Sequence, residues 1–227
     1  MAEKTPYRGA ILFDLDGTLV DTSADFVVVV NNMRKADGML PLADDAIRNT
    51  VSDGARALIT LAYGMKEGDL GFEEKRQQLL NDYENELGMQ ATLFHGFEQL
   101  LADMEQHQLA WGIVTNKPSR FTHPLLHRLG ITPSNGVAVC PDHVTHTKPH
   151  PEPLLLAARQ LGLNPSQCIY VGDHLRDIES GRNAGMQTIA CAYGYVKPVD
   201  NINEWQADFI VNSVNELHQL ARQIFQL

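Results

Sequence analysis

Residues 13–22 read Phe-Asp-Leu-Asp-Gly-Thr-Leu-Val-Asp-Thr and continue an apolar run over residues 10–13. Asp14 and Asp16 are two positions apart, so an extended chain directs both carboxylates to the same side. Gly17 then lets the chain turn away from the strand. Two acids that face one small volume raise the pKa of one of them unless a cation is present. The stretch therefore predicts a bound metal, a shared proton, or a nucleophile beside an acid–base group, with a plain acidic turn as the alternative.

The composition indicates a globular protein that does not bind nucleic acid. The 227 residues are 44% hydrophobic, and the formal net charge is −10 at pH 7 without a basic tract. No segment reaches the roughly 18 to 20 uninterrupted apolar residues of a membrane span, and residues 1–8 lack the apolar core of a signal peptide. We therefore expect a cytoplasmic monomer or small homo-oligomer. Three cysteines without Cys-x-x-Cys spacing are expected to be reduced structural thiols: Cys140, Cys168 and Cys191.

The order of predicted elements indicates an α/β core that is interrupted by helices. A strand near residues 9–14 precedes four predicted helices, of which the first begins near residues 21–23 and ends at Gly38. The other three cover residues 42–51, 55–63 and 72–87. Strands are then predicted at residues 110–115, 137–140, 168–172, 188–192 and 209–211, with helices at 97–106, 118–129, 153–161, 175–184 and 214–225. Repeated β–α units predict a doubly wound, Rossmann-like parallel sheet over residues 1–20 and 93–227, with an inserted all-helical domain over residues 21–92.

Polar residues follow several of the predicted core strands. Ligands of open α/β sheets bind beyond the carboxyl ends of the strands, so these residues are expected to converge. They are Asp14 and Asp16, Thr115 and Asn116, Lys148 in a proline-rich loop, and Asp173 with Asp177.

This set matches the needs of phosphoryl transfer from a monoester, which are a nucleophile, charge neutralisation and a proton for the leaving oxygen. Asp14 is the predicted nucleophile, which forms an aspartyl-phosphate. Asp16 is the predicted acid that protonates the leaving oxygen and then deprotonates water. Lys148 is expected to hold the charge of the nucleophile and the phosphate.

The remaining residues of the set suit a hard metal ion and its surroundings. Mg²⁺ is the expected ion because it favours oxygen ligands, and its predicted ligands are Asp14, Asp173 and the main-chain carbonyl of Asp16. Thr115 and Asn116 are expected to donate hydrogen bonds to the phosphoryl oxygens. Asp177, one helical turn beyond Asp173, is expected to orient metal-bound water or Lys148.

The chain resembles the haloacid dehalogenase superfamily of phosphatases that use an Asp nucleophile. The resemblance is carried, in order, by residues 14–18, 115–116, 148–149 and 172–177, and the helical insert resembles the cap domain of that family. It implies a phosphoric monoester hydrolase with the roles given above. His174 departs from the Asp, Ser or Thr that relatives more often carry, so its role stays open between a solvent-facing histidine and a contact to metal-bound water.

Two alternatives to this interpretation have little support in the sequence. His143, His146 and His150 offer imidazoles for zinc, but their spacing is irregular and no cysteine accompanies them, so we expect no zinc site there. Receiver domains of signalling proteins also combine a parallel sheet, Mg²⁺ and a phosphoacceptor Asp. They are shorter than this chain and have no helical insert.

The substrate should be recognised by the cap domain, since a cap covers the bound ester and excludes water. There Ser52, Gly54 and Arg56 offer a hydroxyl, flexible backbone and a guanidinium that can pair with a carboxylate, although Arg56 can also be an ordinary solvated residue. Residues 52–59, 111–121, 140–154, 171–190 and 193–205 resemble phosphatases of N-acetylmuramic acid 6-phosphate. That resemblance implies this substrate and a part in peptidoglycan recycling. Phosphoglycolate, which also carries a carboxylate, is the alternative substrate, and a sugar phosphomutase is a more distant alternative.

Overall fold

The computed structural model describes residues 7–197 and 199–227. Residues 1–6, part of the stretch expected to lack a signal peptide, and Pro198, part of the 193–205 stretch, lie outside the described residues. Among the helices that are described, none combines the length and apolarity needed to cross a bilayer.

The chain divides into two compact units. The core unit comprises Met1–Val20 and Leu93–Leu227, and the helical unit comprises Asp21–Thr92. The described strands are β1 (Gly9–Phe13), β2 (Val20–Asp21), β3 (Thr92–Leu93), β4 (Leu109–Val114), β5 (Ala138–Val139), β6 (Cys168–Gly172), β7 (Gln187–Cys191) and β8 (Phe209–Val211). The described helices are α1 (Ser23–Ala36), α2 (Asp44–Arg48), α3 (Gly54–Tyr63), α4 (Phe72–Glu86), α5 (Phe97–Gln106), α6 (Ser119–Leu129), α7 (Glu152–Leu161), α8 (Leu175–Asn183) and α9 (Val214–Phe225).

The core unit contains a six-stranded sheet in the order β5-β4-β1-β6-β7-β8, and its neighbouring strands are parallel. The predicted fold class, a doubly wound α/β core with an inserted helical domain, is confirmed. Strand β1 lies in the middle of the sheet, and all five of its residues are buried. A parallel strand covered on both faces needs an uninterrupted apolar run, which is why this strand could be recognised from its sequence. The three cysteines are free and buried, as expected.

The helical unit is held together by contacts between α1 and its surroundings. Phe26 of α1 and Tyr83 of α4 stack with their ring centroids 4.0 Å apart. Asp25 is fully buried, and it accepts hydrogen bonds from the backbone N–H groups of Gly88, Gln90 and Ala91. A buried carboxylate is tolerated when donors satisfy it in this way. Asp25 therefore fixes the segment that follows α4.

One predicted helix is shorter than expected. The helix predicted over residues 42–51 extends only over Asp44–Arg48, and a short 3₁₀ turn, Val51–Asp53, precedes α3. Asn, Thr, Ser and Asp follow Arg48, and their side chains compete for backbone hydrogen bonds. Thr50 shows this competition, because its hydroxyl donates to the carbonyl of Ala46 at 2.9 Å. The apolar periodicity that suggested a longer helix is overridden by these local bonds.

A buried acid joins the two helices α5 and α9 in the core unit. Asp103 of α5 lies 2.7 Å from His218 Nε2, and its two oxygens accept from Arg222 Nη1 at 2.9 and 2.7 Å. The hydrogen bond from His218 and the pairing with Arg222 hold the pKa of Asp103 below its ordinary value. A depressed carboxyl pKa stabilises the folded state above the unfolded pKa, and this stabilisation is lost as the pH falls through the folded pKa.

Replacing this acid should weaken the core unit. We expect Asp103→Asn to lower the free energy of unfolding at pH 7 by about 1 to 2 kcal/mol, since hydrogen bonds to a charged acceptor are lost and the donor Arg222 is partly exposed. Urea denaturation measures the loss, and the difference from the parent should shrink when the pH is lowered below about 4. Glu105→Gln, an exposed change on the same helix, should be neutral. Equal stability of Asp103→Asn and its parent at pH 7 would contradict this account.

Candidate active site

The residues predicted to converge lie at the carboxyl ends of the central strands of the core unit. Asp14 follows β1, and its backbone N–H donates to the carbonyl of Val171 at 2.9 Å, which extends the pairing of β1 with β6. Thr115 follows β4 and its N–H donates to Val139 at 3.0 Å. Asp173 follows β6. Because parallel strands end at the same edge of the sheet, residues far apart in the sequence meet there.

Lys148 is the centre of the site. Its side chain is fully buried, and Nζ lies 2.8 Å from Asp14 Oδ1 and 2.8 Å from Asp177 Oδ1. It also donates to the carbonyl of Val114 at 3.0 Å and to the hydroxyl of Tyr170 at 2.7 Å. A buried ammonium needs such partners because desolvation is costly. The structure thus brings Lys148 to both the predicted nucleophile and the predicted supporting acid.

Asn116 positions the loop that carries Lys148. Its Oδ1 accepts from the backbone N–H of Lys148 at 3.2 Å, and its Nδ2 donates to the carbonyl of Lys148 at 3.1 Å. These two hydrogen bonds fix the backbone of Lys148 on both sides of its Cα atom. The structure therefore gives the Asn116 amide a positioning contact with Lys148, and its predicted hydrogen bond to a phosphoryl oxygen stays a prediction.

Tyr170 is a site residue that the sequence interpretation missed. Its hydroxyl donates to the carbonyl of Val114 at 2.7 Å while it accepts from Lys148. Burial, followed by the charges of Asp177 and Asp14, raises the pKa of Tyr170 well above its ordinary value, so the phenol stays neutral. Tyr170 lies within the apolar run of β6, where an aromatic residue is usually part of the core. No local signal distinguishes it from a packing residue.

Asp173 occupies a crowded position that is shaped by glycines. It accepts hydrogen bonds from Thr18 Oγ1 at 3.1 Å and from the N–H of Tyr195 at 2.7 Å. A Cβ atom on Gly17 would lie 2.2 Å from Asp173 Oδ2, and one on Gly194 would lie 2.3 Å from Asp173 Cβ. Glycine is therefore required at both positions for the backbone to approach the acid this closely. The sequence interpretation included Thr18 and Tyr195 in stretches that carry a resemblance but gave neither a role in the site.

The acids of this site suit a hard divalent cation. Asp14, Asp173 and Asp177 are all buried, and an oxygen atom of each lies within 4.8 Å of those of the other two. Burial, and then the charges of Asp14 and Asp177, raises the pKa of Asp173 to about 8. Lys148 and Arg176 neutralise part of this charge, whereas Asp173 receives its hydrogen bonds from the neutral donors Thr18 and Tyr195. Clustered carboxylate oxygens with incomplete charge compensation are the donor set that Mg²⁺ favours.

Asp16 has a basic partner that the sequence interpretation did not name. Lys117 Nζ lies 3.0 Å from Asp16 Oδ1, and the side chain of Lys117 is only 6% exposed. The backbone N–H of Lys117 donates to Thr115 Oγ1 at 3.1 Å. The hydroxyl of Thr115 accepts this bond and keeps its own hydrogen for another acceptor.

His174 begins the helix α8. Its Nδ1 accepts from the backbone N–H of Arg176 at 3.2 Å, and its own N–H donates to Asp177 Oδ2 at 3.1 Å. This is a reciprocal cap of the first helical turn, in which the two side chains satisfy donors that lack helical partners. The imidazole therefore has a structural role at the start of α8, and the backbone N–H of the same residue helps to orient Asp177.

The three predicted specificity residues lie in the helical unit, around the start of α3. Ser52 belongs to the short 3₁₀ turn, and Gly54 adopts a positive φ of 82°. Arg56 Nε lies 3.0 Å from Glu67 Oε1, and both side chains are more than half exposed. Arg56 is thus a surface residue with an exposed acidic partner.

Residues 11–191 match the family described as haloacid dehalogenase-like hydrolases. The chain belongs to this family. It is 48% identical to the N-acetylmuramic acid 6-phosphate phosphatase of Pseudomonas aeruginosa over 92% of each chain. It is 40% identical to a phosphoglycolate phosphatase of Xanthomonas campestris over 93% of this chain and 96% of that protein.

The fold is shared with solved structures of lower identity. A predicted phosphoglycolate phosphatase from Haemophilus somnus superimposes with a TM-score of 0.80 at 24% identity, over 96% of this chain and 99% of the other. The expected membership of the haloacid dehalogenase superfamily is confirmed, and the chain is a phosphoric monoester hydrolase.

Tyr170→Phe should separate the positioning of Lys148 from its charge. The variant keeps the ring but removes the hydroxyl that Lys148 and the Val114 carbonyl both contact. We expect kcat to fall about tenfold with little change in KM, because Lys148 is less well oriented. Tyr7→Phe, which removes a hydroxyl 3.4 Å from Asn135, should keep parental kinetics. Steady-state phosphate release measures both, and a parental kcat in Tyr170→Phe would remove it from the site.

Proposed function

We propose that this hydrolase cleaves a small phosphate monoester through an aspartyl-phosphate on Asp14, and that N-acetylmuramic acid 6-phosphate is its natural substrate. The arrangement of Asp14 against buried Lys148 supports the chemistry. The identity of 45 to 48% to two N-acetylmuramic acid 6-phosphate phosphatases supports the substrate.

The electrostatics favour Asp14 as the nucleophile. Burial raises the pKa of Asp14, but the charges of Lys148 and Arg176 outweigh it and place this pKa below its ordinary value. Asp14 is therefore an ionised carboxylate at neutral pH. One of its oxygens attacks phosphorus, the bond from phosphorus to the ester oxygen breaks, and an acyl phosphate forms. The second displacement, by water, returns Asp14 and releases inorganic phosphate.

Asp16 is the general acid in the first step and the general base in the second. It donates a proton to the leaving alkoxide and then takes one from the attacking water. Lys117 Nζ, 3.0 Å from Asp16 Oδ1, helps to position this side chain. Thr115 donates its free hydroxyl hydrogen to a phosphoryl oxygen, and Lys148 offsets the charge of the phosphoryl group.

Mg²⁺ is the proposed cofactor. It would be held by Asp14, Asp173 and the main-chain carbonyl of Asp16. Asp177 supports the site through its ion pair with Lys148. When bound, Mg²⁺ neutralises charge on the transferring phosphoryl group. A cation there would also offset the burial and the acidic neighbours that raise the pKa of Asp173.

The helical unit is proposed to act as the cap domain and to recognise the sugar. Arg56 is the candidate partner for the lactyl carboxylate of N-acetylmuramic acid 6-phosphate, with Ser52 and Gly54 beside it. Its pairing with Glu67 is solvent-exposed, so exchanging Glu67 for a substrate carboxylate costs little. A cytoplasmic enzyme of this specificity fits a role in peptidoglycan recycling. Phosphoglycolate is the second candidate substrate, because relatives at 33 to 40% identity are named for it.

A phosphate-release panel tests the substrate. The parent is assayed on N-acetylmuramic acid 6-phosphate, phosphoglycolate, N-acetylglucosamine 6-phosphate and glucose phosphates, ranked by kcat/KM. We expect N-acetylmuramic acid 6-phosphate to lead. Arg56→Ala should lower its kcat/KM about 10- to 100-fold, since a charge-assisted bidentate bond is lost, and should leave p-nitrophenyl phosphate nearly unchanged. Arg76→Ala, another surface arginine of the helical unit paired with an acid, is the matched control.

The outcomes of the panel are distinct. Phosphoglycolate as the best substrate would overturn the proposed specificity, and equal losses on both esters in Arg56→Ala would remove Arg56 from substrate recognition. Total ester that stays constant while a new isomer forms would identify a mutase. Asp14→Asn, freed of host phosphatases, should lose at least about 1,000-fold in kcat, and a fully active variant would end the proposed mechanism.

Thermal unfolding with and without Mg²⁺ tests the metal site independently of turnover. An ion that binds only the folded chain stabilises it, by about 2.7 kcal/mol at 100 times its Kd. We expect excess Mg²⁺ to raise the Tm of the parent and of Asp200→Asn, an exposed control. Asp173→Asn should lose this shift. A shift that persists in Asp173→Asn would exclude Asp173 as a ligand, and full hydrolysis in excess chelator would exclude Mg²⁺ dependence.

A further inference from the structure

The loop around Lys148 gathers a second group of metal-ligating side chains on the surface of the core unit. His146, His150 and Glu152 each offer a ligand atom, and these atoms all lie within 4.8 Å of one another. His146 Nδ1 lies 3.0 Å from Glu152 Oε2, and the two imidazole rings are 4.6 Å apart between centroids. Both histidines are exposed and line one surface pocket of about 590 Å³.

We propose that His146, His150 and Glu152 bind a divalent transition-metal ion of the Zn²⁺ type, at a site separate from the carboxylates around Lys148. Two imidazoles and one carboxylate are a ligand set that suits zinc and its neighbours better than magnesium. Tetrahedral Zn²⁺ with ligands at about 2.0 to 2.2 Å places them roughly 3.3 to 3.6 Å apart. One candidate ligand atom from each of the three residues lies within 4.8 Å of the other two, so side-chain rotations suffice to reach that spacing.

The structure changes which residues form the group. The sequence interpretation considered His143 with His146 and His150, and their irregular spacing counted against a zinc site. His143 Nδ1 instead accepts from the backbone N–H of Cys140 at 3.1 Å. Glu152, the first residue of α7, joins His146 and His150 in place of His143. A carboxylate six residues from one histidine and two from the other was not an obvious partner in the sequence.

Glu152 is held in place and remains able to bind a metal. Its two oxygens accept from the backbone N–H groups of Thr145 and His146, each at 2.9 Å. The bond from Thr145 and then those from His146 keep the pKa of Glu152 below its ordinary value. An ionised carboxylate has about four lone-pair positions, so these bonds leave capacity for a metal.

His150 is held beside the same carboxylate. Its Nδ1 accepts from the backbone N–H of Glu152 at 3.2 Å, and its carbonyl accepts from Ser180 Oγ at 2.9 Å. The three side chains are therefore brought together before any ion binds, and rotation of an exposed ring exchanges its hydrogen bond to Glu152 for a bond from an imidazole nitrogen to the metal. Solvent can supply a fourth ligand because the pocket is open.

The site is chemically distinct from the buried one although it lies on the same loop. His146 and His150 flank Lys148, whose ammonium already has four partners in the core unit. Loss of a surface imidazole should therefore leave Mg²⁺-dependent hydrolysis unchanged. Hydrolysis in Mg²⁺ alone thus reports whether each variant is correctly folded.

Calorimetric titration with Zn²⁺, on protein kept in excess Mg²⁺ so that hard carboxylate sites are filled, tests the proposal. We expect the parent to bind one Zn²⁺ per chain at this site. His146→Ala and His150→Ala should each weaken this binding about tenfold or more, because one of three protein ligands is lost. His127→Ala removes an exposed histidine of α6 and should bind Zn²⁺ as the parent does.

Glu152→Gln and a Co²⁺ titration complete the test. Glu152→Gln keeps an oxygen that can accept from Thr145 but removes the charge, so it should fold and bind Zn²⁺ more weakly. Co²⁺ should give the intense visible absorption of a four-coordinate site in the parent and lose it in His146→Ala. Zn²⁺ binding that is unchanged in a His146→Ala/His150→Ala double variant, or that falls equally in His127→Ala, would overturn the proposal.

Discussion

The buried ammonium of Lys148 is the interaction on which the rest of the site depends. It joins Asp14 after β1, Asp177 in α8, the carbonyl of Val114 at the end of β4 and the hydroxyl of Tyr170 in β6. A charge that is not exposed to water must be compensated by its neighbours. Lys148 Nζ therefore links all four of these elements. Removal of either carboxylate would leave the buried ammonium with less charge compensation. The arrangement therefore couples the geometry of the site to the packing of the sheet.

The site also carries more negative charge than its neighbours compensate. Close approach of the backbone at Gly17 and Gly194 allows Asp173 to lie near Asp14, and the pKa of Asp173 rises to about 8 as a result of burial and of its acidic neighbours. This repulsion opposes folding of the metal-free site. Binding of the proposed Mg²⁺ would reverse it, so metal binding and local stability are linked. The glycines that permit the crowding are thus as necessary to the site as the acids.

The sequence predicted correctly those features of the fold that depend on a short local pattern. An apolar run that ends in acids and a glycine is sufficient to predict a central strand with Asp14 and Asp16 at its carboxyl end. The parallel sheet followed from alternating β and α segments, and the comparisons confirmed the family. The helix over residues 42–51 was predicted too long because Thr50 and its polar neighbours compete for the backbone. Its extent was decided by individual side-chain bonds, which periodicity does not describe.

The sequence by itself determined the order of elements, the positions of the acids and the class of chemistry, because each is written in a short segment. Only the tertiary structure decided that Tyr170 and Asn116 hold Lys148, that Lys117 pairs with Asp16, and that Glu152 joins two surface histidines. The bond from Tyr170 to Val114 spans 56 positions, and the pair between Lys117 and Asp16 spans 101. Such contacts depend on which strands become neighbours and where their ends fall. That information belongs to the packed sheet and is absent from any local stretch of the chain.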